Sequence, residues 1–329
     1  MRIATWNIEW FDDHFAADGT FVSGEKRGRD LAAQREGIAA VLRVLDADAV
    51  LVTEGPKGET ARDLAGFTAA FGLRLTEALT GFPSAGRQEI VLWYDPAKLA
   101  AEHDPLGTPS DRVAGPFDEE FFLDADEDGI REIYRHVRPP LEARITPTDP
   151  AIKPFWIIGV HAKSKGIFSR NDLLNYRRIE EANRRRLFAE CAHIRLRVEQ
   201  MQRQGKRLLV LGDINDGPGM DAAELRFGRS AVEIVMGSLF EPDRILRSWA
   251  GEPRWTSFGF EPSTARFRDK FTGDVVNVLI DHILASDGIA VAAGDPHVIW
   301  NPFQTAQAKP LKDALLAASD HFPVTLDLA

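Results

Sequence analysis

The sequence predicts an α/β (α+β) protein of two packed β-sheets with helices outside. Three observations predict it. Short runs rich in Val, Ile, Phe and Trp, bounded by Gly, Pro or Asp, recur along all 329 residues. Only a few segments between them carry the three-to-four-residue periodicity of a helix. Many half-apolar strands with few helices are best buried sheet on sheet, under a cover of helices.

In chain order, residues 2–8 alternate into Trp6 and Ile8. Further strand runs cover 49–53, 90–94, 141–145, 155–161, 208–211, 275–284 and 323–328. The segment Leu31–Leu45 places Leu31, Ile38, Val41, Leu42 and Leu45 on one face. The longest helical pattern, 172–204, repeats Tyr176, Ile179, Leu187, Cys191, Ile194, Val198 and Met201, with its arginines largely on the other face. Gly205 follows it, as a C-terminal stop should. Shorter helices are expected at 222–227 and 313–318. The connections 12–30, 105–128 and 251–273 are long and polar or rich in Gly and Pro, a trait of functional or mobile loops. There is no internal repeat, and the length suits a single domain over 1–329.

Composition narrows the function. Hydrophobic residues at 44% and charged residues at 27% are ordinary for a soluble globular chain. One cysteine, Cys191, excludes an intramolecular disulfide framework and a Cys-based zinc site, and it is expected to be a small buried hydrophobe. No run of 18 apolar residues predicts a membrane span. Arg2 and Glu9 interrupt what would be the apolar stretch of a leader, so the expected compartment is the cytoplasm. A net charge of -10 argues against adhesion to nucleic acid through bulk charge. Residues 161–207 nevertheless hold 13 Lys+Arg against 5 Asp+Glu, which suits either an anionic ligand or a solvated helix face. A P-loop, a dinucleotide-binding fingerprint, a zincin motif and a Gly-x-Ser-x-Gly elbow are all missing. No protein partner can be inferred.

Acidic, amide and imidazole residues gather where strands end. The segments are Thr5-Trp6-Asn7-Ile8-Glu9, Val52-Thr53-Glu54-Gly55, Gly159-Val160-His161-Ala162-Lys163-Ser164-Lys165, Leu211-Gly212-Asp213-Ile214-Asn215-Asp216, Leu279-Ile280-Asp281-His282-Ile283 and Ser319-Asp320-His321-Phe322-Pro323. Any one of them is a common turn composition. Six such strand ends could aim at one place, and a site of carboxylate, amide and imidazole without thiolate suits a hard cation such as Mg²⁺ or Mn²⁺.

Taken in order, TWNIEW, VTEG, GVHAKSK, LGDIND, LIDHIL and SDHFPV resemble the endonuclease/exonuclease/phosphatase superfamily, which includes deoxyribonuclease I, abasic-site endonucleases, neutral sphingomyelinases and inositol-polyphosphate 5-phosphatases. The resemblance runs from residue 5 to residue 324, with VTEG the loosest match. It implies a four-layered, deoxyribonuclease I-like sandwich of two mostly antiparallel sheets flanked by helices. It also implies a divalent-metal-dependent phosphodiester hydrolase in which water attacks in line at phosphorus, with two His and carboxylates around one or two Mg²⁺.

The resemblance also implies roles. Glu54 would be the principal metal ligand, with Asn7, Glu9 and Asp320 beside it. Asp213 would orient or deprotonate the attacking water, and Asn215 would hold a phosphate oxygen. His321 would contact the phosphate and exchange protons, braced by Asp281, and His161 would be the second imidazole. Glu89 is the candidate brace for His161. An arginine near the scissile phosphate is implied at Arg138, which a surface ion pair would explain equally well. Lys163 and Lys165 alternate with His161, so both could join it on the site side or remain solvated edge charges. The His161 and His321 pair favours the deoxyribonuclease-like branch and an endonuclease-like enzyme on DNA. The alternative is a phosphoesterase on a small-molecule or lipid phosphate ester, and a third reading is a catalytically silent binding protein.

Outside these motifs, Asp124, Asp126, Asp128 and Gly129 match the first half of an EF-hand loop, but Arg135 stands where a bidentate Glu is needed. The segment admits a structural Ca²⁺ loop or a solvated acidic turn. His282 should point away from the site into packing. His14, His103, His136, His193 and His297 lack ligand spacing. Trp6, Trp10, Trp93, Trp156 and Trp300 are expected mostly in the core, and Trp255 and Phe258 are weak candidates for substrate contact.

Overall fold

The computed structural model of the chain describes all residues except 126–127, 168–173, 219–223, 227, 251–260 and 270. Two six-stranded sheets form the centre. The first runs, edge to edge, His297–Ile299, Val324–Asp327, Arg2–Asn7, Ala49–Gly55, Glu89–Tyr94 and Glu77–Thr80. The second runs Arg247–Ser248, Asp281–Ala285, Leu208–Asp213, Phe155–His161, Leu141–Pro147 and Leu99–His103.

Each sheet has one parallel pair at its middle and antiparallel pairs on both sides. The parallel pairs are strand–helix–strand crossovers: Arg2–Asn7, helix Leu31–Leu45, Ala49–Gly55, and again Phe155–His161, helix Tyr176–Arg203, Leu208–Asp213. A parallel pair needs such a crossover because its second strand must start from the same edge.

The sheets face each other across a core that includes Ile3, Leu51 and Leu92 from one and Ile157, Leu209 and Ile283 from the other. Gly159 lets them close: a Cβ there would stand 2.5 Å from Leu51 Cδ1. Outer cores lie under the helices. Leu31–Leu45 and Lys312–Ala318 cover Trp6, Val50 and Trp93, while Tyr176–Arg203 covers Ile158, Val160 and Val210. Cys191 is fully buried there. The result is a four-layered sandwich of two mixed, largely antiparallel sheets with helices outside.

Three expectations need correction. The run 275–284 is two strands, Val275–Val278 and Asp281–Ala285, because Thr264 Oγ1 accepts the N–H groups of Ile280 and Asp281 at the break. The arginines of the long helix are not all on the solvent face. Arg197 is buried against Glu142 and Gly115 O, and Arg195 bonds the carbonyls of Met236 and Arg244. The basic band is therefore largely consumed by partners within the chain rather than presented to a ligand. The helix Thr60–Phe71 and the edge strand Leu99–His103 were not expected, since Ala-rich stretches carry a weak apolar pattern. No helix among the described residues is long and apolar enough to cross a membrane.

Candidate active site

The four central strands run parallel in pairs, so their C-terminal ends fall on one edge of the sandwich. Those ends carry Asn7, Glu54, His161 and Asp213. Antiparallel neighbours bring their N-terminal ends to the same edge: Asp281 pairs with Asp213, and Asp320 and His321 precede Val324–Asp327 beside the first strand. Gly212 positions Asp213. Its φ of 135° suits glycine, and a Cβ there would meet Val160 O at 2.0 Å.

Asn7 Nδ2 donates to Asp213 Oδ2 at 3.1 Å, joining the two sheets. His161 Nε2 lies 3.7 Å from the same oxygen. His321 Nδ1 is 2.8 Å from Asp281 Oδ2. Ligand atoms of Asp213, Asp281 and His321 lie within 4.8 Å of one another. Burial first, then Asp281, pushes the Asp213 carboxyl up to about 7. Burial alone would lower His321, but Asp281, then Asp213 and Asp320, hold it well above the ordinary imidazole value. Burial, then Arg138 and His321, hold His161 well below it. The two imidazoles are therefore pushed in opposite directions, with the raised Asp213 carboxyl beside both.

The other side of the site is a set of carboxylates. Glu54 sits at a bulge with φ 61°, a backbone that is uncommon for a non-glycine residue, and its Oε2 accepts from Trp10 N at 2.9 Å. Burial and then Asp320 raise Glu9, while burial raises Glu54 with Asp320 adding to it. Two cations touch this set among the described ion pairs: Arg29 bonds Glu9, and His321 Nε2 lies 4.0 Å from Asp320 Oδ1. Asn7 Oδ1 is buried without a hydrogen-bond partner among the described residues. An all-oxygen donor set with clustered negative charge and an unpartnered amide oxygen fits a hard divalent cation. Glu54 and Asn7 would hold it, with Glu9 and Asp320 alongside.

Other expected residues behave differently. Asn215 donates Nδ2 to Ala162 O at 3.0 Å, and its N–H bonds Asp213 Oδ1 at 2.8 Å. Arg138 is half-buried and holds the same turn, through His161 O, Ala162 O and Gln88 Oε1. Glu89 does not brace His161: its carboxylate accepts from Ser84 N and Oγ, while His161 Nδ1 has no hydrogen-bond partner among the described residues. Lys163 Nζ bonds Ser164 O, and its N–H bonds Glu190. Lys165 turns away from the site onto Asp216 and Glu224 at 2.5 and 2.7 Å. Asp124 accepts from the N–H groups of Asp128 and Gly129, and Asp128 from that of Ile130, so the described acids cap their own turn. Asp126, Trp255 and Phe258 lie outside the described residues. His282 packs away from the site on Asp216 O.

Two residues of the site were missed. Ser319 Oγ donates to Asn7 O at 2.7 Å and accepts from the N–H groups of Glu9 and His321, tying three segments together. Its signal was its place in the Ser319-Asp320-His321 motif. Thr264 Oγ1 holds the start of the Asp281 strand. No local pattern marks it, because its partner lies 17 residues away.

A fold of this kind with paired His–Asp groups beside clustered carboxylates defines a phosphoester hydrolase. The profile of the endonuclease/exonuclease/phosphatase family matches residues 4–321, and the chain belongs to that family. Similar solved structures include a functionally unknown conserved protein from Enterococcus faecalis V583, at 15% identity and TM-score 0.51 over 100% of this chain and 99% of that one. ANGEL2, a 2',3'-cyclic phosphatase in complex with adenosine-2',3'-vanadate, aligns at 11% identity and TM-score 0.53 over 99% and 94%. TDP2 from D. rerio, complexed with single-strand DNA product, aligns at 13% identity and TM-score 0.52 over 100% and 98%. At these identities the likeness concerns the fold. A search of curated proteins finds no match.

Proposed function

We propose that the chain is a divalent-metal-dependent phosphodiesterase acting on a nucleic-acid strand, in the manner of an endonuclease on DNA. The observation that carries this reading is the convergence of His161, Asp213, Asp281 and His321 at one sheet edge, with His161 Nε2 3.7 Å from Asp213 and His321 Nδ1 2.8 Å from Asp281. Cleaving a diester needs one group to take a proton from water and another to protonate the leaving oxygen.

The cation, when bound, neutralises charge on the phosphoryl oxygens and polarises phosphorus. Asp213, raised toward neutrality, takes the proton of the attacking water, and Asn7 Nδ2 fixes the orientation of its carboxylate. The charged His321, held by Asp281, donates to the phosphate or the leaving oxygen. The neutral His161 offers a single N–H to a non-bridging oxygen. Asn215 and Arg138 act through Ala162 O, keeping the turn after His161 in place. Of the neighbours, TDP2 carries single-strand DNA product and ANGEL2 is a phosphatase, which suits either a nucleic-acid or a small-ester substrate. The net charge of -10 favours the small ester as the second reading.

The test is hydrolysis of plasmid and single-stranded DNA against a panel of phosphomonoesters and lipid phosphoesters, with Mg²⁺ or Mn²⁺. Cleavage of DNA that is lost in His161→Ala and Asp213→Asn supports the reading. Turnover of the small esters alone moves the chain to the second reading, and no metal-dependent turnover of any phosphoester rejects both.

A further inference from the structure

A two-stranded ribbon, Ala265–Arg268 paired with Val275–Val278, stands apart from both sheets. Its root is fixed to the catalytic edge. Ala265 bridges His321, Arg266 N donates to Asp320 O at 2.8 Å, and Phe322 N donates to Thr264 O at 2.6 Å. Any load on the ribbon therefore sits within two or three residues of the proton-exchanging imidazole.

The ribbon's pairing, Arg266 with Asn277 and Arg268 with Val275, puts both arginines on one face, and Phe267 points to the other. At its foot lies Phe303, 42% exposed, with its ring edge-on to the buried Phe322. The Arg266 guanidinium stands 4.5 Å and Lys312 Nζ 5.0 Å from the centre of the Phe303 ring. Phe267 and Phe271 are also exposed. Among the described residues, Arg266, Arg268 and Lys312 make no ion pair with a carboxylate, although the chain is acidic overall. The turn's own acid, Asp269, accepts from the N–H groups of Phe271 and Thr272. Arg266 and Arg268 hydrogen-bond only neutral acceptors, Asn277 Oδ1 and Gly273 O, and Arg268 and Lys312 are exposed, so cationic charge that no described carboxylate pairs stands beside an exposed aromatic ring, which matches the demands of one ligand class. Phosphates take the cations, and the π-face of an unpaired base takes the ring. A duplex hides those faces, so the chemistry favours a single strand.

We propose that this ribbon, with Phe303 and Lys312 at its foot, is an arm that holds single-stranded nucleic acid beside the catalytic edge. The proposal rests on the nucleic-acid reading above and names the surface that gives it strand preference. Arg266 and Arg268 contact successive phosphates, and Phe303 stacks a base.

The experiment measures anisotropy of a fluorescein-labelled twelve-nucleotide thymidine strand with the full-length chain in EDTA, across a salt series. The proteins are wild type, Arg266→Gln/Arg268→Gln, Phe303→Ala and, as a control for bulk charge, Arg203→Gln on the far helix. Removing two phosphate contacts should flatten the slope of log K against log salt by roughly 1.4 and weaken binding at low salt. Phe303→Ala should weaken binding about tenfold or more with the slope unchanged. Thermal melts confirm that each variant is folded, and the exposed arginine pair keeps the test open if Phe303→Ala does not fold. Wild-type slope and affinity in the arginine variant, or an equal loss in Arg203→Gln, overturns the arm while leaving the nucleic-acid reading intact. If the wild type turns over bis(p-nitrophenyl) phosphate but neither binds nor cuts the strand, the nucleic-acid reading itself fails and the arm with it.

Discussion

Asn7 Nδ2 donates to Asp213 Oδ2 across 3.1 Å, and that bond spans 206 residues of sequence and both sheets. It places the amide of the first strand on the carboxylate that the eighth sheet strand in chain order presents from the opposite layer. The site exists only when the sandwich is closed, so its chemistry and the packing of its core are one property.

The first prediction concerns that carboxylate. Asp213→Asn keeps the size of the side chain and removes its ability to take a proton. Turnover of a phosphodiester should fall roughly 10²–10⁴-fold with KM little changed, as expected for loss of a general base. A rise in KM with kcat unchanged, measured by steady-state kinetics, would assign Asp213 to substrate binding instead.

Glu54 is predicted to control the cation. Its carboxylate is half-buried, and burial first of all holds its pKa up, so Glu54→Gln should relieve a desolvated charge in the metal-free protein and raise its Tm slightly. The stabilisation that Mn²⁺ confers on the wild type should disappear. Calorimetric titration with Mn²⁺, together with thermal melts, reads both effects. Unchanged Mn²⁺ affinity in the variant would place the cation elsewhere.

Lys165 is predicted to be structural. Its ammonium neutralises Asp216 and Glu224, whose side chains are 2% and 1% exposed. Lys165→Met takes the ammonium away from two buried carboxylates, and breaking such a buried pair costs about 3–5 kcal/mol. Denaturant unfolding should show that loss, while KM for the diester changes less than about twofold. A large rise in KM with stability intact would return Lys165 to the phosphate site.

The fourth prediction is a pH dependence of stability away from the site. His136 Nε2 and His193 Nδ1 lie 3.1 Å apart between Phe117 and Phe121. Burial, then Arg197, lowers His193 to about 4, and burial, then His193, holds His136 well below its ordinary value. The unfolded chain binds protons below about pH 6.5 that the folded chain refuses until about pH 4. Stability should therefore be full above pH 6.5 and fall as the pH drops from there toward 4. In His193→Gln the dependence over that window should be shallower. A slope equal to that of the wild type, from urea unfolding at several pH values, would rule out this pair as its source.

Much of the fold was legible because its signals are local. The strand Phe155–His161 and the helix Leu31–Leu45 were read to their ends, since apolar periodicity reports the buried face wherever that face lies. Edge strands such as Leu99–His103 were not, because Ala-rich residues at a sheet margin bury too little to carry a pattern. The continuous run 275–284 misled for the opposite reason: one apolar stretch serves a free ribbon and a central strand, and the break depends on the hydroxyl of Thr264.

By itself, the sequence determined which chemical groups stand at the strand ends, and so the family. Tertiary structure alone decided how those groups are used. Glu89 went to Ser84, Lys165 to Asp216 and Glu224, Arg29 to Glu9, and Arg138 to the carbonyls after His161. A side chain's alternation tells which face it takes, but its partner is set by the register and closure of elements tens to hundreds of residues away, and no local pattern contains that distance.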